Sequence, residues 1–227
     1  MYLIFAPFIP GAYLLGSIPF GLIIAKAHGK DLRSIGSGNI GATNVARALG
    51  RKWAYACFAL DVLKGMIPML VTMPLATSKS AQGKEVVLLL LWLAVGCAAI
   101  VGHIFPIYLK FKGGKGVSTS FGVALGLWPY YTICALTAIV VWAAVVSIWR
   151  YVSLASIAAS VAFPLALILA IAFRPGWEFS ILWPLVIAAT AIPLMVIIRH
   201  RENIKKLLAG TENKIHQNKN KTNQTSD

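Results

Sequence analysis

Residues 33–47 read RSIGSGNIGATNVAR, a polar and basic stretch set between two long apolar runs. Small residues there open backbone N–H groups, and hydroxyls, amides and two arginines surround them. That combination suits holding an anion rather than filling a core. Gly36, Ser37, Gly38, Asn39, Thr43 and Arg47 are its candidate binding residues. Gly36, Gly38 and Gly41 also match G-x-G-x-x-G, with Asp61 further on. The dinucleotide reading fails, because no strand precedes the glycines and Asp61 lies inside an apolar run.

Three further segments carry chemistry. Gly113, Gly114 and Lys115 form a basic glycine turn before an apolar run. Their order is not that of a Walker A loop, yet a helix N-terminus beside a lysine attracts anions. Ser153 follows Arg150 at a helix start, where capping competes with any binding role. His200 and Asn203 are spaced i, i+3 and share a helix face, with Glu202 turned away. His103 ends another apolar run as a cap. Asp61 and Lys64 have the same i, i+3 spacing and read as a structural ion pair deep in an apolar run.

Other chemistries lack their residues. No Ser-His-Asp order, paired carboxylates, His-x4-Asp motif or Asp-rich metal signature occurs among only seven acidic residues. Cys57, Cys97 and Cys134 lie within apolar runs and read as packing residues. Neither a metal nor a cofactor is expected.

These groups need a scaffold, and the composition says which kind. Of 227 residues, 58% are hydrophobic and 12% charged, with a mean hydropathy of +0.75. A soluble domain would carry about twice that charged fraction. The expectation is an all-α, polytopic membrane protein of one domain, residues 1–209, followed by a polar, solvated tail at 210–227. Apolar runs fall near 3–25, 53–76, 86–109, 117–149, 152–173 and 179–199. The run 117–149 is too long for one crossing, and Pro129 with Tyr130 and Tyr131 breaks it, so two short crossings are expected.

Seven spans then put all the basic residues except Lys64, Lys79, Lys84 and Arg174 on one face. The positive-inside rule makes that face cytoplasmic, with the N-terminus outside and the C-terminus inside. It also accounts for the net charge of +14 without nucleic acid. No basic residue precedes Lys26, so the first run is a span rather than a signal peptide. Every glycine-rich polar segment falls on the same face.

Taken together, GSIPFG, SIGSGNIGATNVAR, DVLKG, GHIFP, FKGGKGVSTS and HREN resemble, in order, the bacterial acyl-phosphate:glycerol-3-phosphate acyltransferases (PlsY type). The match runs from Gly16 to about Asn213. The resemblance implies a seven-helix enzyme of the bacterial inner membrane, its site facing the cytoplasm among membrane lipids. It would move a fatty acyl group from acyl phosphate to the 1-hydroxyl of glycerol 3-phosphate, giving lysophosphatidate and phosphate. By motif, Ser37, Arg47, Lys115, Ser153, His200 and Asn203 are the implied catalytic residues, and Glu202 matches a position tied to structural integrity.

The residues themselves agree with an enzyme for two phosphorylated substrates. Arg47 can grip phosphate bidentately and Lys115 as a point charge, with Gly36, Gly38, Gly41, Gly113 and Gly114 offering backbone donors. Phosphate leaves readily, so no covalent intermediate is required, and approximation with charge stabilisation can supply much of the rate. The base is either His200 or a substrate phosphate, whose second pKa is near 6. A transporter of a phosphorylated metabolite fits the charge but lacks an internal repeat. A headgroup-binding structural subunit would not need so many loop glycines and asparagines.

Overall fold

The computed structural model describes residues 2–77 and 83–215. Lys79 and tail residues 216–227, which figured in the charge and tail readings, lie outside the described residues. Among those described, the regular structure is all helical, in ten α-helices and short 3₁₀ turns. They are α1 Phe8–Ser17, α2 Phe20–Ala27, α3 Ala42–Leu49, α4 Arg51–Ala76, α5 Glu85–Ile104, α6 Val117–Gly126, α7 Tyr130–Trp149, α8 Val152–Phe173, α9 Phe179–Arg199 and α10 Arg201–Leu208.

Proline divides the apolar runs. Pro19 lacks an N–H and disfavours helix in the residue before it. Ile18 is extended, at φ −62° and ψ 118°, and separates α1 from α2. Pro129 breaks the run 117–149 where its sequence indicates, but unequally. Instead of two similar short crossings, α6 has 10 residues and α7 has 20. Ten residues rise roughly 15 Å, about half a hydrocarbon core. Among the described residues six helical segments are long and apolar enough to cross a membrane, and α6 by itself is not.

In lipid, helices are held by close van der Waals fit rather than by exclusion of water. Glycines make that fit possible here. A Cβ on Gly65 of α4 would stand 2.3 Å from the Thr119 carbonyl oxygen of α6, and one on Gly122 would stand 2.0 Å from that of Val62. The two backbones therefore touch directly, and α6 is fixed against α4. Trp92 and Tyr131 fill the interior, the Trp92 indole donating to the Met69 carbonyl at 3.0 Å. Val140, Ile148, Leu165, Leu169 and Ile187 stay exposed on the outer faces of α7, α8 and α9. Such apolar exposure suits contact with acyl chains.

A charged cluster lies inside this bundle. Lys64 Nζ sits 2.7 Å from Asp61 Oδ1 and donates to the Ile18 carbonyl at 2.9 Å. At the helix break that carbonyl accepts from both the lysine and Phe20 N, the latter at 3.2 Å. Asp61 also accepts from the Cys57 thiol at 3.7 Å and lies 3.7 Å from His103 Nδ1. The spacing of Asp61 and Lys64 thus gives an ion pair that also joins the α1–α2 break, α4 and α5.

Candidate active site

The anion loop is tied by a residue with no assigned role in the sequence reading. Asn44, 1% exposed on α3, donates from Nδ2 to the carbonyls of Leu32 and Ile35, each at 2.9 Å. Its Oδ1 accepts from Ser37 N at 3.1 Å. One buried amide thereby closes residues 32–37 onto α3. Gly36 must be glycine within that closure: its φ is +59°, and a Cβ would meet Asn44 Oδ1 at 2.5 Å. The same Cβ would lie 3.1 Å from Arg47 Cδ, so the Arg47 stem runs beside the loop that presents Ser37. Asn39 closes its own turn, Oδ1 accepting from Gly41 N at 3.3 Å, and Thr43 is exposed on α3.

The glycine turn docks on the end of α5. Gly113 N donates to the Ile104 carbonyl and Gly114 N to that of His103, both at 3.1 Å. Gly114 presses on the His103 ring, where a Cβ would fall 2.1 Å from Nε2. Arg199 Nη2 donates to the carbonyls of Gly113 at 3.4 Å and Gly114 at 3.1 Å. Arg199 Nε is buried with no partner among the described residues. Arg33 Nη2 reaches the Lys112 carbonyl at 3.1 Å and joins the two polar loops.

For four of the five glycines this corrects the expectation that they present N–H groups to an anion. Those of Gly38, Gly41, Gly113 and Gly114 already bond to Ile35, Asn39, Ile104 and His103. Their contribution is shape, allowing the backbone to pack closely enough to aim the side chains.

Lys115 stands at the centre of those side chains. Its ammonium donates to Asn203 Oδ1 at 2.5 Å. Burial lowers its pKa from 10.5 to about 8; Glu212 opposes the shift, while Arg47, Arg199 and Lys206 add to it. Four cationic groups therefore share one field. His200 is 3% exposed, and its Nδ1 lies 2.7 Å from the Val196 carbonyl. A carbonyl only accepts, so Nδ1 carries the proton and Nε2 keeps its lone pair. Burial, followed by the Lys115 charge, pushes the His200 pKa down to about 4, against the pull of the Val196 carbonyl. His200 is a neutral imidazole at pH 7.

Ser153 does not cap α8. The N-cap is Tyr151, without a side-chain cap bond, and Ser153 Oγ instead donates to Glu212 Oε1 at 3.0 Å. Asn203 Nδ2 donates to the same oxygen at 2.8 Å. The expected solvated tail from residue 210 is corrected here for its first residues. Residues 211–215 fold back, Ile215 N bonding to the Arg150 carbonyl at 2.8 Å and Lys214 lying over the Tyr151 ring at 5.4 Å.

Lys115, Ser153, His200 and Asn203 are thus brought together, with Arg47 in electrostatic reach and Ser37 on the loop beside Arg47. Glu202 stands apart. It is 65% exposed, and its charged neighbours are the equally exposed Arg201 at 3.7 Å and Lys205 at 3.5 Å. The structure gives no buried contact to the integrity role implied for it. Asn44, Arg199 and Glu212 are the participants missed from sequence. For Asn44 the available signal was an amide beside Val45 on the apolar side of a short amphipathic helix. Among the described residues no cluster of His, Cys, Asp and Glu could hold a metal ion.

A membrane protein whose described residues are helical, with a cationic cluster built from four loop and helix-end segments, is the class these features define. A sequence model of the glycerol-3-phosphate acyltransferase family matches residues 6–210, and the chain belongs to that family. It is 45% identical over 206 residues to the glycerol-3-phosphate acyltransferase of Trichlorobacter lovleyi, covering 91% of this chain and 95% of the relative. Against that of Aquifex aeolicus it is 44% identical over 203 residues, covering 89% and 95%. Crystal structures of PlsY, an integral membrane glycerol 3-phosphate acyltransferase, in two forms are similar in fold at 40% identity, over 93% of this chain and 95% of theirs. The glycerol 3-phosphate form gives a TM-score of 0.77 and the lysophosphatidic acid form 0.75.

Proposed function

We propose that this protein acylates the 1-hydroxyl of glycerol 3-phosphate with acyl phosphate as donor, releasing 1-acylglycerol 3-phosphate and inorganic phosphate. It works in the bacterial inner membrane, at the first acylation of phospholipid synthesis. The observation that carries this reading is the convergence of Arg47, Lys115, Ser153, His200 and Asn203, drawn from four separate segments, into one cationic cluster. Two phosphorylated substrates need such a cluster. The acyl tail stays among the helices, and the carbonyl meets the polar groups at the interface.

The glycerol hydroxyl oxygen attacks the acyl carbonyl carbon. The bond from that carbon to the phosphate oxygen breaks, and its electron pair leaves with phosphate. Lys115 and Arg47 neutralise the two phosphates. Ser153 and Asn203 supply neutral donors that fix the orientation of bound phosphate. The Nε2 lone pair of His200 can accept the hydroxyl's hydrogen bond and orient it. A substrate phosphate then takes the proton, since an imidazole held to a pKa of about 4 is a weak base at neutral pH. No covalent enzyme intermediate is formed.

Seven crossings with the N-terminus outside and the C-terminus cytoplasmic go with this reading. The residues that meet in the pocket lie before α4, between α5 and α6, at the start of α8 and after α9. A chain that returns to one site after α4–α5, α6–α7 and α8–α9 crosses in pairs. The short α6 with its flanking turns then completes one crossing.

The test uses purified protein with glycerol 3-phosphate and either palmitoyl phosphate or palmitoyl-CoA, following lysophosphatidate. Product from acyl phosphate alone is expected. Product from the thioester alone would overturn the donor, and no product from either, with folded protein, would overturn the activity.

A further inference from the structure

Glu212 is an acidic side chain in a pocket of cations. Its Oε1 accepts both from Ser153 Oγ at 3.0 Å and from Asn203 Nδ2 at 2.8 Å. Asn203 turns its other amide atom, Oδ1, to the Lys115 ammonium. The carboxylate therefore has the partners that a phosphate oxygen would take: a hydroxyl, an amide N–H and, one atom further, an ammonium. Its charge also acts directly on Lys115, opposing the like charges of Arg47, Arg199 and Lys206. The segment bearing it is attached lightly, by the Ile215–Arg150 backbone bond and the stacking of Lys214 on Tyr151. Thr211, Asn213, Lys214 and Ile215 are all exposed, so little apolar burial holds the strap down.

We propose that Glu212 is a further residue of the phosphate site: an internal anion that holds Ser153, Asn203 and Lys115 in register and is exchanged for a substrate phosphate. Two anions cannot share Ser153 Oγ and Asn203 Nδ2 without repulsion. Phosphate entry must move the Glu212 carboxylate aside, and product release lets it return. The charge of Glu212 thus raises the apparent dissociation constant of every phosphate-bearing ligand of that pocket. It also keeps the donors paired when the pocket holds no substrate, which an apolar residue could not do. The inference rests on the acyltransferase reading above.

The experiment measures KM for glycerol 3-phosphate and inhibition by inorganic phosphate in full-length wild type, Glu212→Gln and Glu212→Ala. Glu212→Gln keeps the size and one acceptor while removing the charge, so folding is preserved. The expected result is a three- to tenfold fall in KM and in the phosphate inhibition constant for Glu212→Gln. A KM that rises or is unchanged in Glu212→Gln, or a loss confined to kcat as a purely structural residue would give, overturns the exchange. If wild type itself makes no lysophosphatidate, the acyltransferase reading fails instead, and calorimetric titration of inorganic phosphate into wild type and Glu212→Gln still tests the exchange: a three- to tenfold lower dissociation constant in Glu212→Gln is expected, and an equal or higher one overturns it.

Discussion

The Arg33 guanidinium donates to the Lys112 carbonyl at 3.1 Å, across 79 residues of sequence. This is a direct bridge between the anion loop and the glycine turn, and Arg47 and Lys115 stand on its two sides. Hydrogen bonds from charged donors contribute about 1.5–3 kcal/mol when buried, and less where water competes. Arg33 is exposed. Replacing it with alanine should lower kcat/KM roughly fivefold through KM, leaving thermal stability in detergent within a few degrees. Arg33→Lys should not restore activity, because an ammonium lacks the planar fork. An Arg33→Ala enzyme with wild-type KM would mean that the bridge does not align the loops.

Lys115 gives the sharpest pH prediction. With its pKa at about 8, it is charged at neutral pH and loses the charge as pH rises through that value. The free-enzyme parameter kcat/KM should therefore fall above about pH 8, tending to tenfold per unit. Unfolding is not the cause expected from this group. The unfolded chain keeps the proton to its usual 10.5, so between these values unfolding takes up protons, and rising pH favours the folded state. Lys115→Met should abolish activity or raise KM by roughly 30-fold or more, as loss of about 2 kcal/mol or more implies. Kinetics indistinguishable from wild type would remove Lys115 from the site.

His200 carries the question of the base. Its Nδ1–H is committed to Val196, so Asn at this position removes the Nε2 lone pair. Under substrate assistance, His200→Asn should lose roughly 10- to 100-fold in kcat, the range of a positioned hydrogen bond. The acid limb of its pH profile should still follow the phosphate, with a pKa near 6. Near-complete loss of turnover with intact glycerol 3-phosphate binding would make His200 the obligatory base.

Glu202 should matter little to stability. Its ion pairs with Arg201 and Lys205 are solvent-exposed, and such pairs contribute less than about 1 kcal/mol. Glu202→Gln should unfold within a few degrees of wild type in a detergent melt. A drop of more than ten degrees would show that Glu202 has a structural contact absent from this arrangement.

The helical class, the apolar runs and most of the pocket were legible because membrane sequences separate their chemistry. In a chain with so few charges, Lys115 and His200 stand out as departures from the lipid-facing pattern. The i, i+3 spacings also transferred directly, for Asp61 with Lys64 and for His200 with Asn203, since helix geometry alone determines them. What was not legible depends on tertiary placement. Asn44 carries only the hint of an amide on the apolar side of a short helix, and nothing local names its partners at Leu32, Ile35 and Ser37. Glu212 sits in a run of polar residues that composition assigns to solvent; its role appears only when α8 and α10 are side by side. The unequal division of 117–149 follows from where Pro129 stands in the run, whereas the seating of α6 on α4 through Gly65 and Gly122 is what hydropathy does not record.

The Asp61–Lys64 pair also bears on how the chain is made. A lone lysine or aspartate at the middle of a helix costs about 2.5–3.5 kcal/mol on membrane insertion. These two lie 2.7 Å apart on one helix, so α4 brings its own counter-ion as it leaves the ribosome and enters the bilayer nearly neutral. The Ile18 carbonyl at 2.9 Å comes from the preceding span, which has already been synthesised, while His103, 3.7 Å from Asp61, follows later on α5. Translation order and wiring therefore agree: the acceptor is in place before the donor arrives.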